Sequence, residues 1–435
     1  MTGAVHRFAS RHGRHLLVAD GSRIYDLDAQ LDRELAEALD MGAPALDAFL
    51  ARYGLSGVRY IDDQPLTDPP VRAISLAIAQ KCNLGCAYCY AQGGEFGGAA
   101  KSMPWPVARD AVLRLIEEAG AGARVNIAFM GGEPLINRDL IRRATTFARA
   151  QARPRNVGVS FSITTNATLL REDDAAFFEE HGFAVTVSID GTPDAHDRLR
   201  RFRKGSGSYD LIVRRLAPLL AAQRRMQVSA RVTVTPLNLA LTETLDHLIG
   251  LGFQSVGFAP MLNGPDRALE LDAASLETML AEMIACARKF ETEVVAGRPY
   301  PFSNMMEALR QIHRGAHRPY PCGAGAGYFG VSADGGLFAC HRFVEDPAGR
   351  LGDVAHGLDR GKRNDWLAAR HVHRQSPCDT CWARYLCGGG CHHEVIHRGR
   401  SACDFIRGWL DVCLASYVNL MEQRPDFFIA RGGAH

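Results

Sequence analysis

Three cysteines, Cys82, Cys86 and Cys89, lie within eight residues at spacings of four and three. One short loop can fold these thiolates around a single cubane iron–sulfur cluster, but a [4Fe–4S] cube ordinarily takes four cysteines, so one iron is left without a thiolate. An open metal position is where an external ligand binds and reacts. A zinc loop or unrelated thiols is the plainer reading of the same spacing. A second set follows far downstream: Cys322, Cys340, Cys378, Cys381, Cys387, Cys391 and Cys403, with Gly335 between the first two. Paired thiolates suit zinc as well as iron–sulfur, so a zinc ribbon on Cys378, Cys381, Cys387 and Cys391 stands beside the cluster reading. Cys286 shares a helical stripe with Met279, Met283 and Phe290, and Cys413 shares one with Ile406, Trp409, Leu410 and Tyr417. Both read as core packing.

The rest of the chain must position these thiols. Its 435 residues are 47% hydrophobic and 23% charged, and 43 Gly with 20 Pro are too thinly spread for a low-complexity protein. Fifty Lys and Arg against 48 Asp and Glu leave a net charge of +2, which gives no reason to expect a nucleic acid partner. No run approaches the roughly 18 apolar residues that cross a bilayer, and the start carries His6, Arg7, Arg11 and Arg14 without an apolar core. The expectation is a cytoplasmic protein with no membrane partner. Thiols there are kept reduced, so twelve cysteines point to metal or redox chemistry rather than disulfides.

Residues 1–70 predict a small α+β module: strands at His6–Ala9, His15–Ala19 and Arg23–Leu27, helices at Leu31–Leu39 and Leu46–Tyr53, and a hairpin signal at Asp20-Gly21. The proline-containing stretch Asp62–Pro70 ends it. Residues 71–265 alternate strand and helix. The strands are Ile74–Ala79, Val125–Met130, Val157–Ile163, Ala184–Ile189, Val228–Val234 and Ser255–Phe258, separated by helical segments from Trp105, Asp139, Asp173, Tyr209 and Leu241. Six such units imply a parallel sheet with right-handed crossovers, an incomplete barrel. Residues 266–318 read as a helical linker with a long helix at Ala273–Glu293. Residues 319–435 show Gly, Cys and short loops in place of periodicity up to Cys413, as if bound metal supplied the fold energy.

The first cluster, with Tyr88 as the aromatic before its third cysteine, resembles the hallmark of the radical S-adenosylmethionine (SAM) superfamily. The resemblance continues through Met261 and falls at strand ends, where a parallel barrel carries its site. Gly131, Gly132, Glu133 and Pro134 resemble the element that binds the SAM amino group. Thr165 and Asn166, within Thr165-Asn166-Ala167-Thr168, and Ser188 and Asp190, within Ser188-Ile189-Asp190-Gly191, resemble further SAM-contacting segments. Arg200 resembles a ligand for the SAM carboxylate, although the run Arg200, Arg201, Arg203, Lys204 also reads as a solvated loop. The resemblance implies an α/β fold, a partial (β/α)6 TIM-type barrel, that cleaves SAM and abstracts hydrogen with the resulting 5′-deoxyadenosyl radical.

The second set resembles the seven-cysteine SPASM domain of peptide-modifying radical SAM enzymes. It implies one auxiliary [4Fe–4S] cluster on Cys378, Cys381, Cys387 and Cys403 and another on Cys322, Cys340 and Cys391, three clusters in all. The segments around Cys340 and Cys381–Glu394 look most like thioether-forming maturases of the quinohemoprotein amine dehydrogenase type. The implied substrate is a peptide or protein, with or without a leader sequence, and the implied reductant a flavodoxin or ferredoxin. The first choice of reaction is a Cys sulfur-to-carbon thioether crosslink. Formylglycine formation of the anaerobic sulfatase type and carbon–carbon crosslinking are the alternatives, with an iron–sulfur electron carrier or a zinc-folded interaction protein outside enzymology. The sulfatase maturases carry Asp after the cysteine corresponding to Cys340, where this chain has His341. His341 is a candidate catalytic proton acceptor; a hydrogen bonder to a metal-bound cysteine is the plainer reading. The N-terminal module resembles leader-recognition domains, which take a peptide as an added edge strand, and reads equally as a barrel cap.

Overall fold

The computed structural model describes residues 3–55 and 64–429; Asp62 and Asp63 of the expected boundary lie outside them. The N-terminal module is an antiparallel meander of β1 (Val5–Ser10), β2 (Gly13–Val18) and β3 (Arg23–Leu27), followed by α1 (Ala29–Met41) and α2 (Ala43–Arg52). The Asp28 carboxylate caps α1 by accepting from the Gln30 and Leu31 amides at 2.8 Å each. Val5, Leu16, Leu35, Leu46 and Phe49 form its own small core. The module is seated on C-terminal residues: the His6 ring stacks on Trp382 at 3.7 Å, and Arg384 Nη2 donates to Asp20 at 2.9 Å.

The barrel begins with β4 (Ala73–Gln80), which β5 (Lys101–Ser102) pairs antiparallel. There follow α3 (Trp105–Glu118), β6 (Arg124–Gly131), α4 (Arg138–Ala152), β7 (Gly158–Thr165), α5 (Glu172–His181), β8 (Ala184–Ser188), α6 (Pro193–Leu199), α7 (Tyr209–Ala222), β9 (Gln227–Val234), α8 (Leu241–Gly250) and β10 (Ser255–Pro260). Strands β4, β6, β7, β8, β9 and β10 are parallel neighbours in that order, the six-unit barrel expected from the alternation. In register, Ile74 of β4 lies opposite Ile127 of β6, which lies opposite Phe161 of β7. With Leu76, Phe129, Val185 and Val232 these side chains are buried, so alternate positions of each strand fill one core.

Helices α9 (Ala273–Val295) and α10 (Ser303–His313) then lead to β11 (Tyr328–Val331), β12 (Gly336–Phe338), β13 (Arg350–Asp353) and β14 (Gly357–Leu358), followed by α11 (Arg360–Arg370), α12 (Arg384–Cys387), α13 (His392–Arg398) and α14 (Cys403–Gln423). Two features go beyond the sequence-based expectation. The cysteine-rich region, read as short loops, also carries strands: β11 pairs parallel with β4 and the later strands continue the barrel sheet. Strands of two to four residues are too short for a period of two to be legible. Helix α14 spans 21 residues and packs on α9 and α10. Its buried face includes Ser416 and Asn419, which hydrogen-bond the buried Glu291 carboxylate of α9, and this polar stripe interrupts the apolar period. Cys286 and Cys413 are fully buried in the main core, as expected. Among the described residues, no helix is long and apolar enough to cross a membrane.

Candidate functional site

Cys82, Cys86 and Cys89 stand on the loop that leaves the C-terminal end of β4, and this loop is clamped from two sides. On one side Gly85 N–H donates to the Arg201 carbonyl at 2.8 Å and Ala87 N–H to the Leu199 carbonyl at 3.1 Å, while Arg203 reaches the carbonyls of Cys82 and Gly93. On the other, Gly131 presses against Ala79 near the end of β4 and Gly132 against the loop backbone. A Cβ on Gly132 would stand 2.4 Å from the Lys81 oxygen and 2.7 Å from Gly94 Cα, and Gly131 has φ +145. Only glycine allows both the close approach and that conformation. The three thiols are near enough for their charges to act on one another. Burial pushes the Cys82 thiol up to about 12; burial also raises Cys86, with the Arg200 charge opposing it.

The other residues picked out by the sequence converge on this loop. Glu133 is buried, and its carboxylate accepts from Thr165 Oγ1 at 2.7 Å, Asn166 N at 2.7 Å and Leu135 N at 3.0 Å. It ties the end of β6, where Pro134 starts a 3-10 turn, to the end of β7. Asn166 in turn points Nδ2 at Cys82 Sγ, 3.6 Å away, and at Asn83 Oδ1, 3.1 Å away. An N–H directed at a metal-bound sulfur is one of the ways a protein tunes such a centre.

Ser188 closes β8, and beyond it lies a chain of buried polar groups. Arg200 Nη1 donates to the Tyr88 oxygen at 2.5 Å, the Tyr88 hydroxyl donates to Asp190 Oδ2 at 2.5 Å, and Asp190 Oδ1 accepts from Thr233 N at 3.0 Å. Arg200 is therefore no part of a solvated loop: it is 7% exposed, beside Cys86. Its Nε is buried without a partner. A charged donor so placed calls for an acceptor that the chain does not provide.

His196 holds the Asp190 turn. Its Nδ1 accepts from Asp190 N at 3.2 Å, its Nε2 meets Ser208 Oγ at 2.9 Å, and burial with the Arg200 charge lowers it to about 3. The unfolded chain takes a proton near pH 6.5 that the native state refuses, so this stability is complete above pH 6.5 and lost as pH falls toward 3. At pH 5 the loss is about 2 kcal/mol, at 1.36 kcal/mol per pH unit. His196→Gln is expected to be less stable at pH 7.5 yet to lose that much less between pH 7.5 and 5, measured by urea midpoints.

The downstream cysteines form two groups. Cys378, Cys381, Cys387 and Cys403 line one cavity, which Cys391 also reaches. Gly388, Gly389 and Gly390 all have positive φ and wrap the chain around Cys387, whose burial raises its thiol while the Gly389 and Gly390 amides oppose that rise. Cys322, Cys340 and Cys391 form the second group, each near enough to act on the others. Cys413 lies in the apolar core and does not line the cavity of the four-thiol group, whereas Cys403 does.

The second group faces the first loop. Gln80, the last residue of β4, donates to Glu345 at 3.2 Å and accepts from Ala333 N at 2.7 Å. Tyr90, next to Cys89, is near enough to Cys340 for both charges to act on its phenol; its ring meets that of His341 edge-on at 6.2 Å, and the Arg342 guanidinium lies 5.4 Å from it. His341 accepts from or donates to the Tyr328 hydroxyl through Nδ1 at 2.7 Å, and burial with Arg342 and Arg231 lowers it to about 3. Between the loops lies a cavity of about 390 Å³ lined by Tyr90, Gln92, Asn263, Arg342, His393 and His397, among others. Sequence reasoning passed over Tyr90, Arg342 and Tyr328 as site residues. Tyr90 and Arg342 each lie within two residues of a cysteine, a signal that was available; Tyr328 is brought in only by the pairing of β11 with β4.

Residues 76–258, from β4 to β10, match the family model of the Radical SAM superfamily. The barrel is a radical SAM domain. Such a domain implies a [4Fe–4S] cluster and SAM as cofactors, and three thiols on one loop beside a buried guanidinium whose Nε has no partner fit both. The chain is 25% identical over 359 residues to the serine-type anaerobic sulfatase-maturating enzyme of Klebsiella aerogenes, covering 80% of this chain and 87% of that one. It is 28% identical over 347 residues to the cysteine-type enzyme of Clostridium novyi (strain NT), covering 74% and 89%. Its fold is similar to native anSMEcpe with bound AdoMet (TM-score 0.69, 20% identity, 81% of this chain and 99% of that one). It is also similar to Streptococcus suis SuiB (TM-score 0.50, 14% identity, 90% and 95%).

Proposed function

We propose that this radical SAM enzyme modifies a side chain of a peptide or protein and holds three [4Fe–4S] clusters: on Cys82, Cys86 and Cys89; on Cys378, Cys381, Cys387 and Cys403; and on Cys322, Cys340 and Cys391. When bound, the first cluster and SAM supply the 5′-deoxyadenosyl radical that takes a hydrogen atom from the substrate, with the electron drawn from a flavodoxin or ferredoxin. The observation that carries the reading is the place of Tyr90, which follows Cys89, packs its ring edge-on against His341, the residue after Cys340, at 6.2 Å, and lines the 390 Å³ cavity. A side chain entering that cavity would approach the first cysteine loop and the Cys340 segment together.

Within that reading the chain's own residues bind and orient. Gly131 to Pro134 and Thr165-Asn166 form the wall for the amino end of SAM, Ser188 and Asp190 the next wall, and Arg200 takes the carboxylate with the donors that Tyr88 leaves free. A charge-assisted hydrogen bond is worth about 1.5–3 kcal/mol. Arg200→Lys is therefore expected to weaken SAM binding about 10- to 100-fold in equilibrium titrations, with iron content unchanged.

For the bond formed we propose a thioether between a substrate cysteine and carbon: the C–H bond gives its hydrogen atom to the 5′-deoxyadenosyl radical, the cysteine S–H gives up its proton, and the surplus electron would pass to an auxiliary cluster. The Cys322, Cys340 and Cys391 group offers three thiolates, and the stretch 313–321 before it has no cysteine to add a fourth, which leaves one iron for a substrate thiolate or for a water, His or Asp ligand. Formylglycine formation is the second reading, favoured by the sulfatase-maturating relatives. It is weakened by the residue after Cys340, a histidine engaged with Tyr328 where that group has Asp. The N-terminal module leaves β3 as its outer strand, since β1 packs on α14, and a leader peptide would add there.

The test is anaerobic turnover of a cysteine-bearing peptide with SAM and reductant, read by mass spectrometry. A thioether loses two hydrogens and its sulfur no longer reacts with iodoacetamide. A carbon–carbon crosslink loses two hydrogens and keeps the thiol; formylglycine from cysteine loses the elements of hydrogen sulfide and gains one oxygen. No mass change with any peptide and no 5′-deoxyadenosine would overturn the proposal.

A further inference from the structure

The cavity between the two cysteine loops has a second chemistry in its wall. His393 and His397 are four residues apart on α13 and so share one helix face, and Asp346 faces them from the segment after Cys340. A ligating atom from each of the three lies within 4.8 Å of the other two. His397 Nε2 and Asp346 Oδ2 are already 2.7 Å apart, and the two imidazole centroids are 4.6 Å apart.

We infer that Asp346, His393 and His397 form a mononuclear site for a divalent transition-metal ion, separate from every cysteine, with open coordination positions facing the cavity. Two imidazoles and one carboxylate on one side of an ion are a recurrent donor set for zinc and ferrous iron, and they leave room for exogenous ligands. Three further observations favour a cation here. First, the His393 ring has an outer partner: Asn263 lies 3.2 Å from Nδ1. With its amide turned so that the oxygen accepts Nδ1–H, Nε2 becomes the free ligand atom, the arrangement metal-bound histidines ordinarily show. Second, Phe343 packs against both rings, 4.9 Å from His393 and 6.2 Å from His397, which fixes their planes. Third, the neighbouring cations have partners of their own, Arg342 with Glu394 at 2.6 Å and Arg398 with Glu270 at 3.0 Å. Asp346 Oδ1 accepts from Ala348 N at 2.9 Å, which leaves Oδ2, beside His397, as the carboxylate oxygen turned toward the two rings.

The site lies beside Tyr90 and Arg342, so an ion in it would offer a docking point for a carbonyl, carboxylate or thiolate of whatever enters the cavity. Metal binding here does not depend on which peptide reaction the barrel performs. It also differs from cluster ligation, because no thiol contributes.

The experiment uses the full chain with its clusters reconstituted anaerobically, and zinc ion alone as the probe. Equilibrium dialysis against ⁶⁵Zn(II), with iron and sulfide counted on the same samples, is expected to give one equivalent of zinc above the cluster complement. The doubly substituted His393→Ala/His397→Ala chain should lose that equivalent while keeping its iron. Asp346→Asn, which keeps the shape of the site, should weaken binding at least tenfold, and Asn263→Ala by roughly 10- to 100-fold, as loss of an outer partner does. Equal zinc uptake by wild type and the double variant at equal iron content, or no uptake by wild type, would overturn the inference and leave His397–Asp346 as an ion pair only.

Discussion

Cys89→Ala in the anaerobically reconstituted enzyme is expected to bring SAM cleavage to background while most of the iron in the protein remains. The first loop has three thiolates and carries no other cysteine, so removing one leaves two irons of a cube without a thiolate from it. No neighbouring side chain of the loop can substitute: Asn83 is bonded to Thr168 and Asn166, and Tyr88 to Asp190 and Arg200. The backbone clamps at Gly85, Ala87, Gly131 and Gly132 do not involve the Cys89 sulfur, so the fold should survive the substitution. The readout is 5′-deoxyadenosine formed with dithionite in the presence and absence of peptide, with circular dichroism and iron content as controls. Wild-type rates of cleavage in Cys89→Ala would remove that thiol from the site.

Cys340→Ala and Cys378→Ala are expected to separate two activities that the wild type couples. SAM cleavage without productive outcome should persist, because the first loop, Glu133 and Arg200 are untouched. Peptide modification should fall to background in both. Tyr90 packs against His341, the residue after Cys340, and Gln80 and Glu345 tie the end of β4 to the same segment, so the auxiliary group bears on the substrate cavity rather than on SAM. Cys378 lines the separate cavity walled by Gly389 and Gly390, and its loss tests whether the second auxiliary group is also needed. Persisting cleavage is itself the control for folding. Modified peptide at the wild-type rate in either variant would exclude that cysteine's group from the reaction.

The barrel was legible in the sequence because its strands are five to eight residues long with continuous or alternating burial, and each is followed by an amphipathic helix. The cysteine loop was legible for a different reason: ligand spacing is a short-range property, fixed before any tertiary contact forms. What was not legible depended on partners distant in sequence. Strand β11 is recognisable only against β4, about 250 residues earlier. In α14 the apolar stripe from Ile406 to Tyr417 was legible, and the buried polar pair Ser416 and Asn419 only once Glu291 is known to need them. Arg200 shows the same limit. In sequence it belongs to a run of four cations that any surface loop could carry, and only the backbone pairing of residues 199–202 with the cysteine loop buries it while leaving Arg203 half exposed. The Asp346, His393 and His397 grouping needed the cysteine-rich segment to fold back over the barrel mouth before a helix pair and a distant carboxylate could meet.

Iron and acid-labile sulfide per chain, counted after anaerobic reconstitution, test the account most directly. Three cubes predict about twelve irons and as many sulfides in the wild type, and about eight when Cys82, Cys86 and Cys89 are all replaced by alanine. About four irons in the wild type and none in that triple variant, or zinc in place of iron on the downstream cysteines, would contradict it.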